Sequence, residues 1–127
     1  MGGDRHVRAT GSARAAARLA RARWAESLAA EWYRRNGYSI VAMNWRCDNG
    51  ELDVVARSGS LLVICEVKAR ATAAYGTPLE AMSETKQHRV RRTALRFMKE
   101  HGLGSCTVRF DVASVLGTNL EVLTDVF

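Results

Sequence analysis

Asp53, Glu66 and Lys68 stand near the far ends of two apolar runs joined by a short glycine turn. The runs are Gly50-Glu51-Leu52-Asp53-Val54-Val55-Ala56-Arg57 and Leu61-Leu62-Val63-Ile64-Cys65-Glu66-Val67-Lys68-Ala69, with Ser58-Gly59-Ser60 between them. Aliphatic and β-branched runs on either side of such a turn mark an antiparallel hairpin. Gly59 supplies the positive φ of a type II′ turn, so a two-residue loop Gly59-Ser60 pairs Ser58 with Leu61. That register sets Asp53 opposite Glu66 and Glu51 opposite Lys68, and the strand period of two gathers all four on one patch. Facing carboxylates repel unless a cation lies between them or one keeps its proton, and a nearby lysine offsets part of the repulsion. Oxygen donors of this kind suit a hard cation, Mg²⁺ or Mn²⁺. The chemistry implied is hydrolysis of a phosphodiester, with Asp53 and Glu66 as ligands, Lys68 orienting or deprotonating the attacking water, and Glu51 holding Lys68 or serving a second cation.

Two plainer readings stand beside this one. A three-residue turn would set Cys65 against Asp53 and break the constellation. A solvated polar sheet face accounts for Glu51, Asp53 and Arg57, but less well for Glu66 and Lys68, which close a run of five apolar residues that reads as buried on both faces.

Asp53, twelve residues, then Glu66-Val67-Lys68 is similar to the PD-(D/E)XK signature of restriction-endonuclease-like nucleases. The setting is more specific: Glu26-x-x-x-Ala30, Gly37-Tyr38, Asn44-x-Arg46, Gly50-Glu51-x-Asp53, Glu66-Val67-Lys68-x-Arg70, Gly76-x-Pro78, Lys86-x-x-Arg89 and Arg109-Phe110-Asp111-Val112. In that order they resemble the YraN family of small bacterial proteins, over about residues 24–127. There are two departures, Leu52 in place of the signature's proline and Cys65 where an aromatic or aliphatic residue is usual. The resemblance implies a restriction-endonuclease-like α/β fold, with a central mixed sheet of about five strands flanked by helices. It also implies a ligand from the Val67 carbonyl and, as in some related nucleases, an outer ligand from Glu26. A solvated helix position explains Glu26 equally well.

The whole chain sets limits on these readings. Its 127 residues suit one domain with a single core. Apolar runs are too short to cross a bilayer and no secretory leader is evident, so a cytoplasmic location and no membrane partner are expected. Cys47, Cys65 and Cys106 lack metal-type spacing and read as reduced thiols. The net charge of +6 is uneven: residues 1–23 hold six Arg and one Asp, a net +5, which leaves +1 for the remainder. An Arg- and Ala-rich leader can bind phosphates and also resembles a transit peptide; its continuity with the helical pattern favours a basic extension.

The elements that position these residues follow from periodicity. Residues 1–11 read as a disordered basic arm and 12–127 as one domain. A helix is expected over 12–36, N-capped by Ser12 and closed by Gly37, with Trp24, Trp32 and Tyr33 in its core seam. A strand over 38–45 leads into the hairpin. Residues 70–85 are irregular, with a turn at Tyr75-Gly76-Thr77-Pro78 that opens a short helix and forms a candidate substrate loop. A second helix over 86–101 places Val90, Ala94, Phe97 and Met98 in the core, and strands over 106–116 and 120–126 complete the order α-β-β-β-α-β-β. Arg89, Arg92, Arg96 and Lys99 fall on the outward side of that helix, and with Arg70 and Lys86 they are the expected nucleic-acid contacts. Asp111 reads as structural. The partner is then nucleic acid, DNA first, and a homodimer is left open. A non-catalytic binding module on the same fold is the alternative to a nuclease.

Overall fold

The computed structural model describes residues 10–70 and 82–127. Residues 1–9 of the arm and the turn at 75–78 therefore lie outside the described residues. Alanine and arginine, both strong helix formers, fill α1 (Gly11–Arg35). Its N-cap is Thr10, whose hydroxyl accepts the Ala13 N–H at 3.1 Å, so the helix begins ahead of Ser12. Arg34 and Arg35 occupy its last turn, and Gly37 beyond it takes a φ of 89°.

Three antiparallel strands follow: β1 (Ser39–Cys47), β2 (Gly50–Ser58) and β3 (Leu61–Arg70). Helix α2 (Glu84–Glu100) starts two residues before the expected position because Ser83 caps it, accepting the Lys86 N–H at 3.2 Å. Strands β4 (Thr107–Leu116) and β5 (Asn119–Leu123) come last. The sheet order is β1-β2-β3-β4-β5, parallel between β3 and β4 and antiparallel elsewhere. A parallel pair needs a long crossover, and α2 lies in it. The α/β class, the element order and the five-stranded mixed sheet flanked by two helices are as the sequence led us to expect.

Each helix covers one face of the sheet. Ala29, Ala30 and Tyr33 of α1 cluster with Val54, Ala56, Val63, Cys65 and Ala113. On the opposite face Val90, Ala94, Phe97 and Met98 of α2 cluster with Leu52, Val55, Leu62, Ile64 and Val112. Central β3 feeds both clusters, which is why its apolar run shows no alternation. Burying each of these larger side chains is worth roughly 1.5–3 kcal/mol. The seam of α1 differs from expectation. Ala29, Ala30 and the fully buried Tyr33 make its contact, with Trp32 half-buried against them, but Trp24 is 44% exposed and outside the core.

Asp111 anchors the far side of α1. Fully buried, it accepts the Tyr33 hydroxyl at 2.6 Å, Arg109 Nε and Nη2 at 2.9 and 2.8 Å, and the Asp125 N–H at 2.9 Å. It is structural, in line with the sequence reading. The three cysteines are unpaired, and burial pushes the Cys65 thiol pKa up, which suits an inert core residue. No helix among the described residues is long and apolar enough to cross a membrane.

Candidate functional site

The hairpin turns at Gly59, whose φ is 59°, and its register runs from Ser58 opposite Leu61 to Val54 opposite Cys65. The expected two-residue turn is present. Backbone pairing stops there, one step before Asp53 and Glu66, and the Asp53 Oδ2 instead accepts the Val67 N–H at 2.9 Å. Strict alternation would put Leu52 and Val54 on one face, yet they join opposite core clusters. Their partners on β1, Trp45 and Met43, do likewise, on either side of Asn44, which holds a left-handed φ of 53°. Asparagine tolerates this conformation better than most residues. The change of face at Asn44 and Asp53 turns the aspartate toward the neighbouring strand.

Glu26, Glu51, Asp53, Glu66, Val67 and Lys68 all line one cavity of about 470 Å³, walled by α1 on one side and by Lys86, Arg89, Val90 and Thr93 of α2 on the other. Glu66 is 5% exposed, and its Oε2 has no hydrogen-bond partner among the described residues. Burial first, and then the Asp53 charge, raise its pKa from 4.5 to about 8, despite Lys86 and Lys68 nearby. Burial also raises Asp53 to about 6, against the pull of the Val67 N–H. Lys68 moves the other way, to about 8, because it is buried and has Lys86 beside it.

A hard cation fits this donor set. It would satisfy the orphan oxygen of Glu66 and let both carboxylates ionise. Magnesium commonly uses one or two carboxylates and keeps several waters, so Asp53 and Glu66 would hold it, with the Val67 carbonyl added where the family resemblance implies it. Among the described residues no three His, Cys, Asp or Glu side chains are grouped to hold a metal by themselves. The arrangement is an open two-carboxylate site, not a closed cage.

The other acids are already engaged. Glu26, 4% exposed on α1, pairs with Arg23 at 3.1 Å, and the same Arg23 nitrogen donates to Asn44 Oδ1. Glu51 accepts Arg46 Nε at 2.8 Å. The expected hold of Glu51 on Lys68 is therefore not made, and Lys68 neighbours Lys86 instead. Arg23 and Arg46 line the cavity without having been expected at the site, although Arg46 belongs to the Asn44-x-Arg46 motif. By charge alone Arg23 belongs to the leader; its spacing of three from Glu26 on a helix was the available signal.

The expected nucleic-acid contacts divide into three groups. Lys86 and Arg89 reach the cavity. Gly50 makes room for Thr93, since at its φ of 151° an added Cβ would lie 3.0 Å from Thr93 Oγ1, while Arg89 Cγ at 3.5 Å would be in ordinary contact. Arg92, Arg96 and Lys99 continue down the exposed side of α2, with Arg96 Nε donating to Glu100 at 3.3 Å. Arg70 lines an adjoining cavity with Arg21 and Trp24.

The fold and cavity together define a small α/β domain with a lysine-flanked pair of carboxylates at one end of its central hairpin. Residues 25–115 match the model of the uncharacterised protein family UPF0102, and the chain belongs to that family. The YraN-type resemblance is borne out in this respect. A UPF0102 protein of Renibacterium salmoninarum is 46% identical over 91 residues, covering 72% of this chain and 77% of its own. One from Acidothermus cellulolyticus is 43% identical over 112 residues, covering 80% and 85%. A third, from Nocardia farcinica, is 47% identical over 93 residues, covering 73% of each.

Proposed function

We propose that the cavity hydrolyses phosphodiester bonds of nucleic acid, DNA first, with Mg²⁺ or Mn²⁺ held by Asp53, Glu66 and the Val67 carbonyl, on a restriction-endonuclease-like fold. The observation that carries this reading is that Glu66, which lines the same cavity as Asp53 and Lys68, has a buried Oε2 with no hydrogen-bond partner among the described residues. The cation, when bound, supplies charge neutralisation at the phosphoryl oxygens and acidifies water. Lys68, with its pKa lowered to about 8, takes the proton of the attacking water as a neutral amine, and the ammonium so formed stabilises the negative charge that develops on the phosphoryl oxygens. Lys86 and Arg89 hold the phosphate from the α2 side. Glu26 keeps Arg23 fixed at the wall and Glu51 does the same for Arg46.

A binding module without turnover is the second reading. It is favoured by the pairing of Glu26 and Glu51 with arginines, which leaves two carboxylates for a metal. Labelled duplexes, flaps, junctions and single strands incubated with Mg²⁺ or Mn²⁺ separate the two. Cleavage that Asp53→Ala and Glu66→Ala both abolish, together with loss of Mn²⁺ binding by calorimetry, supports the enzyme. Salt-sensitive binding with no cleavage of any substrate replaces it with the module.

A further inference from the structure

Every residue from Gly11 to Arg21 is exposed, so about three turns of α1 bury nothing in the core. A helix segment with no buried face is maintained by propensity or by what it binds. Residues 11–25 contain four arginines and no Asp or Glu. Arg14, Arg18 and Arg21 are spaced by four and three and share one stripe. Among the described residues none of these three has an acidic partner, whereas Arg23, Arg34, Arg35, Arg46 and Arg96 each have one. Arg18 and Arg21 form one wall of an open cavity of about 550 Å³, with Val67, Lys68 and Ala69 opposite. That cavity shares Glu26, Val67 and Lys68 with the carboxylate cavity, so the two make one continuous groove.

We infer that the N-terminal half of α1 is a phosphate track, along which Arg14, Arg18 and Arg21 lead the backbone of a nucleic-acid strand to Lys68 and the carboxylates. The inference rests on the nucleic-acid reading of the cavity and adds the path by which substrate reaches it. The track lies before residue 25, where the family match begins, so it belongs to the leading helix of this chain. Phosphate is the occupant the chemistry selects: guanidinium forks without intramolecular acceptors bind it bidentately, and its negative charge offsets the mutual repulsion of the stripe.

The test compares two triple variants of the full chain by anisotropy of a short labelled duplex and single strand in EDTA, across a salt series. Arg14→Gln, Arg18→Gln and Arg21→Gln should lower the salt slope of binding by about 2 to 3, one phosphate contact being worth about 0.7 to 0.9. Arg34→Gln, Arg35→Gln and Arg57→Gln remove the same charge at the hairpin-turn end of the molecule and should lower it by less than about 1. Glutamine keeps the helix propensity. The matching lysine triple on α1, which retains the charge and also controls for folding, should keep the wild-type slope. Equal losses in both glutamine triples, an unchanged slope in the α1 triple, or a loss in the lysine triple equal to that of glutamine overturns the track. Stronger binding of the wild type to anionic vesicles than to either oligonucleotide, abolished in the α1 triple, reassigns the stripe to a membrane surface. Metal-dependent cleavage by wild type with no effect of the α1 triple removes the track and leaves the proposed function standing; no binding and no cleavage by wild type removes both.

Discussion

Replacing Glu66 with glutamine should make the metal-free protein more stable at neutral pH and leave it unchanged in acid. The folded protein holds the Glu66 proton with a pKa of about 8, against an ordinary 4.5. A raised carboxyl pKa contributes stability that is complete below pH 4.5 and is lost as pH climbs to 8 and beyond. At pH 7 the unfolded chain gains about 3 kcal/mol from ionising this group while the folded chain keeps it neutral. Glutamine does not titrate, so the variant escapes that loss. Partial sharing of the proton with Asp53 brings the expected gain to about 2 to 3 kcal/mol. In a domain of this size that raises Tm by roughly 6 to 15 °C. Thermal melts in EDTA between pH 4 and pH 8 would show the two proteins parting as pH rises. Mn²⁺ should then close the gap and, at a thousand times its Kd, reverse the order, since binding adds about 2.7 kcal/mol to wild type at a hundred times Kd and about 4.1 at a thousand, and little to the variant. A stability difference that does not change with pH, or equal stabilisation of both proteins by Mn²⁺, refutes the reasoning.

Asp53→Ala should lose Mn²⁺ binding without any gain in stability, because the bond from the Val67 N–H goes with it; a melt in EDTA more stable than wild type contradicts this. Lys68→Met should bind Mn²⁺ and nucleic acid within several-fold of wild type yet lose about 10² to 10⁴ in cleavage rate, and turnover at the wild-type rate would remove Lys68 from the mechanism. Asp111→Ala strands Arg109 and Tyr33 and should cost about 3 to 5 kcal/mol in urea unfolding; a loss below about 1 kcal/mol would show the anchor to be redundant.

The hairpin was legible because its signals are local. Gly59 sets the turn and the turn sets the register as far as Val54 and Cys65; beyond that pair, the change of face at Asp53 accompanies the meeting of Glu51, Asp53, Glu66 and Lys68 in one cavity. Helix α2 was legible for the same reason, through the spacing of Val90, Ala94, Phe97 and Met98. Three features were not. The reversal of faces at Asn44 depends on a backbone angle that asparagine tolerates but does not require. The capture of Glu51 by Arg46 is a choice between two nearby cations that charge counting leaves undecided. Trp24 looked like core on the helical pattern, but Ala29, Ala30 and Tyr33 make the helix–sheet contact and leave the indole outside.

The parallel pairing of β3 with β4 bears on how the site comes into being. Strands β1, β2 and β3 are joined by two-residue turns, so the acidic hairpin can form from neighbouring stretches of chain on a microsecond scale. Its basic wall arrives only when α2 is carried over the sheet and Leu61 meets Thr107, a closure across dozens of residues that is intrinsically slow. In a hairpin formed before either helix docks, Asp53 and Glu66 would face water and ionise at no cost. Desolvation is thus imposed at the last step of folding, and stopped-flow refolding in EDTA should show that step slowing as pH rises through neutrality, with Glu66→Gln insensitive to the change.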